Sequence, residues 1–215
     1  MDIELKDRIE AAILNADAMP PEIHRACADA MRLAVPAIWV NGAWVKSVAT
    51  MFRASSGVAT CAAISFPGGA SKSTVKAIEA TSCIKDGADE IAVVPHWPNV
   101  ARGDVDAMKL ELLEIVRAAR AARSDVVVKV VVHPRSRDAI NFEAACRAIR
   151  ESGCDWLVIS GEGSLVEIVG SAKQHAGELH VGVLATVADV ASARDLIEAG
   201  ASRIATAQFA SVLEA

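Results

Sequence analysis

Apolar residues along the chain fall into two alternating patterns. One is a short unbroken run of β-branched and small residues, clearest over 126–132, where six valines surround Lys129. A strand apolar on both faces belongs between two apolar layers, as in a parallel sheet covered by helices. Strand side chains alternate, so Lys129, Val131 and His133 share one face and Val128, Val130 and Val132 the other. Runs of this kind predict strands over 37–41, 58–65, 90–95, 126–135, 155–160, 180–186 and 203–207. The opening 3–13 is amphipathic, and its end, Ala11-Ala12-Ile13-Leu14, is a further strand candidate.

The second pattern has helical spacing. From Pro20-Pro21 onward Ile23, Cys27, Met31 and Val35 lie along one face, up to the breaker Pro36. Helices are predicted over 44–52, 73–86, 104–122, 142–152, 165–175 and 187–199, and 96–99 is a loop. Gly87, Gly153 and Gly200 open the short joints between helix and next strand.

Strand and helix thus alternate about eight times with short connections. This is the grammar of an α/β fold, and the count favours a single (β/α)8 TIM barrel over 1–215 rather than a doubly wound sheet. No Gly-x-Gly-x-x-Gly follows the early strands, which removes the main support for dinucleotide binding.

Composition narrows the partners. The hydrophobic fraction is 53% with 4% aromatics, which suits helices packed closely on a parallel sheet. The net charge of −5 is spread without basic blocks, so neither nucleic acid nor an anionic membrane is expected as partner. Five cysteines are scattered without Cys-x-x-Cys, as reduced core thiols would be. The charged start and the lack of a long uncharged apolar stretch point to a cytoplasmic protein without a membrane span.

Several tracts resemble the deoxyribose-phosphate aldolase family. They are Phe66-Pro67-Gly68-Gly69-Ala70-Ser71, Val75-Lys76-Ala77-Ile78-Glu79-Ala80, Gly87-Ala88-Asp89-Glu90-Ile91, Val128-Lys129-Val130-Val131-Val132, Gly153-Cys154-Asp155-Trp156 and Ile197-Glu198-Ala199-Gly200-Ala201-Ser202-Arg203-Ile204. The resemblance runs from about Ile9 to the last strand. It implies a (β/α)8 barrel that cleaves deoxyribose 5-phosphate through a lysine Schiff base, with no metal or cofactor. It also implies that the catalytic positions have changed. The Schiff-base lysine corresponds to Val158, its companion lysine to Leu184 and the proton-handling aspartate to Ala92. The phosphate-gripping glycines give way to Val187-Ala188, and the last strand, Ile204-Ala205-Thr206-Ala207-Gln208, lacks the family's serine-glycine tract. Lys129 alone matches a functional position, one that assists rather than attacks. Loss of the ancestral aldehyde-lyase activity is therefore expected.

Lys129 supports two readings. It is a buried amine available for carbonyl chemistry with His133 and His96 as acid and base, or a cation ion-paired inside the barrel with Glu90 or Glu10, which is preferred. The histidines fit no metal-binding spacing, so no metal is expected. Asn41, Ser160, Glu162 and Arg135 are the candidate substrate contacts, for a small carbonyl or sugar-type molecule. Ser160-Gly161-Glu162-Gly163-Ser164 offers N–H groups to an anion with Ser164 as helix cap, although Glu162 opposes phosphate. Trp39, Trp44 and Trp97 are expected at the barrel mouth, filling the old pocket in preference to forming a homodimer contact.

Overall fold

The computed structural model describes residues 3–52, 57–134, 140–162 and 165–215. Eight parallel strands close into a barrel in chain order. They are β1 (Ile9–Ile13), β2 (Ala37–Asn41), β3 (Ala59–Ile64), β4 (Glu90–Val93), β5 (Val127–Val132), β6 (Trp156–Gly161), β7 (His180–Ala185) and β8 (Arg203–Thr206). The helices are α1 (Ile3–Lys6), α2 (Pro20–Leu33), α3 (Val45–Phe52), α4 (Ser73–Asp86), α5 (Trp97–Arg102), α6 (Val105–Ala122), α7 (Phe142–Glu151), α8 (Val166–Ala176), α9 (Val190–Glu198) and α10 (Phe209–Glu214). Among the described residues no helix is long and apolar enough to cross a membrane.

Two cores follow from the alternation of strand side chains. Val128, Val130 and Val132 join the large outer core between strands and helices, while Val131 packs inside the barrel with Trp39, Ala92, Trp156, Val158 and Leu184. The valine-rich strand is thus apolar on both sides because both sides are buried. All five cysteines are buried and unbridged.

The Gly-x-Asp joints do two jobs. Gly87 takes φ 113°, which a side chain would resist, and its N–H and that of Ala88 close the end of α4 on Ile84 O and Cys83 O. The aspartate that follows then reaches back to the preceding strand: Asp89 accepts the Thr60 N–H at 2.9 Å, and Asp155 accepts the Val128 N–H at 2.8 Å. Arg120 of α6 and Arg123 just beyond its end hold the Asp155 and Asp89 carboxylates.

Three helical segments differ from expectation. The segment 96–99, expected as a loop, enters α5, a six-residue helix begun by Trp97-Pro98 and closed by Gly103 at φ 63°, too brief to show periodicity. The last helix before β8 starts at Val190 rather than 187, because the Asp189 carboxylate accepts the Ser192 N–H and caps it there. A closing helix, α10, packs Phe209, Val212 and Leu213 into the core where none was predicted.

Candidate functional site

The barrel interior is layered. In its amino-end half lie Glu10 of β1, Glu90 of β4, Lys129 of β5 and Arg203 of β8, with Trp39 and Trp156 beside them. The Lys129 ammonium is 2.6 Å from Glu90 and 3.1 Å from Glu10, and Arg203 is 2.9 Å from Glu10 and 3.6 Å from Glu90. The Trp39 indole N–H donates to Glu10 at 2.6 Å, and Lys129 stands 4.8 Å from the Trp39 ring and 5.2 Å from the Trp156 ring. Each buried charge thus has an opposite charge in contact with it.

Protonation follows from these contacts. Burial would lower the Lys129 pKa, but Glu10, Cys61 and Glu90 more than offset it, so the ammonium is held above its ordinary range. Burial would raise Glu10, yet Lys129, Arg203 and the Trp39 hydrogen bond bring it below the usual carboxylate value. Burial raises Glu90, and Lys129 offsets this only in part while the Glu10 charge adds to it.

Above this ring the interior is apolar. Ala92, Val131, Val158, Leu184 and Ala205 form one packed cluster with Ala12 and Val94. Ala92, Val158 and Leu184, which the family resemblance equates with aspartate and two lysines, therefore lie in one place, and Val158 is 1% exposed.

Over this floor a cavity of about 280 Å³ opens at the carboxyl ends of β3 to β6. Phe66, Pro67 and Gly68 line one side, Val94, Pro95 and Trp97 another, and Val131, Val132, His133 and Ser160 the rest. That is the end of the barrel at which enzymes of this fold carry their sites. The walls are tied together from behind. Lys76 of α4, fully buried, donates to Gly69 O at 2.6 Å, Val94 O at 2.7 Å and the Glu111 carboxylate of α6 at 2.6 Å. Glu111 also accepts the His96 N–H, at 3.1 Å to its nearer oxygen. Gly69, at φ 62°, lies so close to the next loop that a Cβ there would stand 2.4 Å from Pro95 O.

Of the residues singled out from sequence, His133 and Ser160 line the cavity. Lys129 does not; it lies in the charged ring below. His96 is exposed, and its backbone N–H is engaged in the wall. The Asn41 amide donates to Leu14 O at 3.1 Å, bracing the loop after β1, and Asn41 does not line the cavity. Glu162 is exposed at the end of β6, while Arg135, Arg137 and Ser164 lie outside the described residues.

The tryptophans divide. Trp39, expected at the mouth, is buried in the charged ring instead, because its position faces inward and its N–H has the Glu10 carboxylate to reach. Trp44 packs on the outer core, and Trp97 lines the cavity without filling it. Among the described residues no group of His, Cys, Asp and Glu is placed to hold a metal ion.

Sequence reasoning missed Lys76 and Glu111 as wall-holding residues. A signal exists in the phase of α4: Lys76, Ala77, Ala80, Cys83 and Ile84 are buried while the apolar Val75 and Ile78 are exposed. A helix whose small residues set the inward face carries the intervening lysine in with them.

No protein-family model matches the sequence. Individual relatives do. The deoxyribose-phosphate aldolase of Micrococcus luteus is 34% identical over 224 residues, covering 98% of this chain and 95% of that protein. That of Thermoanaerobacter pseudethanolicus is 31% identical over 212 residues, covering 96% and 94%. Among solved structures, QR15, an aldolase, superposes with a TM-score of 0.86 at 28% identity, over 99% of this chain and 95% of that one. The tetrameric deoxyribose phosphate aldolase from Aeropyrum pernix has the same fold, with a TM-score of 0.85 at 24% identity over 98% and 89%. Identity above 30% over nearly the whole length, on a matching closed barrel, leads to one conclusion: the chain belongs to the deoxyribose-phosphate aldolase family.

Proposed function

We propose that this family member has lost Schiff-base retro-aldol chemistry and keeps the barrel mouth as a binding site for a small, unphosphorylated carbonyl- or hydroxyl-bearing molecule. The observation that carries this reading is the apolar packing of Ala92, Val158 and Leu184 under the cavity. A Schiff base needs an amine that is neutral and in reach of the carbonyl. None of the described cavity-lining residues is a lysine, and Lys129 is buried, ion-paired and held protonated. Lys129 is then a structural cation, and chemistry that would use it with His133 and His96 lacks the access it needs.

Loss of phosphate binding is supported at the ends of β7 and β8. The Thr206 hydroxyl oxygen accepts the N–H groups of Val187 and Gln208, both at 3.3 Å, and its own proton goes to the Gln208 side chain at 2.8 Å. N–H groups that an anion would require are thereby engaged within the chain.

The test is incubation with deoxyribose 5-phosphate and measurement of released glyceraldehyde 3-phosphate, together with borohydride treatment and intact mass. No product and no adduct are expected. Family-like turnover, or a mass adduct mapped to Lys129, would overturn the proposal.

A further inference from the structure

The geometry points to a ligand class for the mouth cavity: an uncharged, flat ring compound bearing one hydrogen-bonding substituent, such as a phenol or an aromatic aldehyde. This rests on the reading above that the mouth is a ligand site without Schiff-base chemistry.

The lining is rich in flat groups. Phe66 and Trp97 stand partly exposed on the cavity walls with Pro67, Val94 and Pro95 beside them, and Val131 belongs to the floor. Aromatic faces and proline rings are flat apolar surfaces that favour a planar apolar partner. At about 280 Å³ the space is near the lower end for small-molecule sites, which suits one ring system rather than a cofactor.

The lining limits polarity. Among the described lining residues only His133, Ser160 and the Trp97 indole N–H offer side-chain hydrogen-bonding groups, and none is Lys, Arg, Asp or Glu. A sugar brings several hydroxyls, and each one buried without a partner is penalised. One hydroxyl or carbonyl is within what an imidazole and a serine hydroxyl can satisfy. A carboxylate or phosphate finds no described cation in the cavity to offset its desolvation.

The cavity is also held open. Lys76 binds Gly69 O on one wall and Val94 O on the other, and Glu111 fixes the Lys76 ammonium and the His96 N–H together. A site whose walls are braced by buried charge-assisted hydrogen bonds loses little freedom when a ligand enters.

The experiment titrates the full chain with phenol, benzaldehyde, benzoate, phenyl phosphate, 2-deoxyribose and deoxyribose 5-phosphate, following amide and indole N–H resonances by NMR. Phenol and benzaldehyde are expected to shift Gly68, His133 and the Trp97 indole, and to bind about 10-fold tighter than benzoate, phenyl phosphate or deoxyribose. Trp97→Ala weakens phenol by about 10-fold and Trp97→Phe restores most of it, since a ring is retained. Ser160→Ala weakens phenol by about 5-fold. Thermal unfolding of each variant separates lost binding from lost fold.

Deoxyribose binding the cavity while phenol does not would overturn the ring assignment and leave the unphosphorylated reading standing. Tighter binding of deoxyribose 5-phosphate or phenyl phosphate would overturn both. Silence from every probe, or ring compounds shifting only residues remote from the cavity, would overturn the assignment.

Discussion

Replacing Lys129 by methionine removes a fully buried cation that contacts Glu10, at 3.1 Å, and Glu90, at 2.6 Å, while keeping most of the side-chain volume. Breaking a buried pair leaves a charge uncompensated and costs about 3–5 kcal/mol. Arg203 stays 2.9 Å from Glu10 but 3.6 Å from Glu90, so the unmatched charge falls mainly on Glu90. In a domain of this size each kcal/mol moves the melting midpoint by about 2–4 °C, which puts the loss at about 6–20 °C. The loss is pH-dependent with a definite sign. Burial already raises the Glu90 carboxyl above its ordinary 4.5, and without Lys129 it rises further. Folded Glu90 then binds a proton that the unfolded chain has released, so the variant's stability falls as pH rises through that window. Urea unfolding followed by tryptophan fluorescence should show a smaller deficit at about pH 5 than at about pH 8, and Glu90→Gln in the same background should recover much of it. A loss below about 1 kcal/mol at both pH values would refute the ion-pair reading and return Lys129 to the amines available for chemistry.

In the unchanged protein, thermal unfolding across pH should find the Lys129 contribution fully present below its ordinary 10.5 and lost only as pH rises through the still higher folded value. At the acid end the Glu10 contribution, present above 4.5, should be lost as pH falls through its depressed folded value, while Glu90 opposes it with a small loss of stability just above 4.5. Lys76→Met leaves Glu111 without its buried cation and should cost about 3–5 kcal/mol in urea unfolding. Gly69→Ala forces a side chain into positive φ and a 2.4 Å approach to Pro95 O; it should cost about 1–3 kcal/mol and abolish phenol shifts at the cavity. Asp155→Ala removes the acceptor of the Val128 N–H and should cost about 1 kcal/mol, with faster hydrogen exchange at that amide.

Most of the architecture is legible in the sequence. The unbroken valine run, the helical spacing of Ile23, Cys27 and Met31, and the glycine joints are local signals, set by backbone sterics and by burial on one or two faces. They sufficed for the barrel and for the sidedness of Lys129, Val131 and His133. Short elements escaped: α5 and α10 span six residues each, less than two helical turns, so no periodicity accumulates. Trp39 was placed at the wrong depth because a side chain's direction along the barrel axis depends on what it meets there, here the Glu10 carboxylate.

The site divides in the same way. The resemblance to the family already singled out Val158, Leu184 and Ala92 as positions where lysine or aspartate was expected, and that comparison needs only the sequence. What only the tertiary structure decided is which partners those positions meet. Lys129 meets Glu10 from 119 residues away and Glu90 from a neighbouring strand, and those contacts hold it as an ion-paired ammonium. Lys76 meets carbonyls of two loops and a carboxylate of another helix, and that contact keeps a cavity open over an apolar floor. A pKa and a cavity both arise from groups remote in the chain and close in space, and closure of the barrel brings them together.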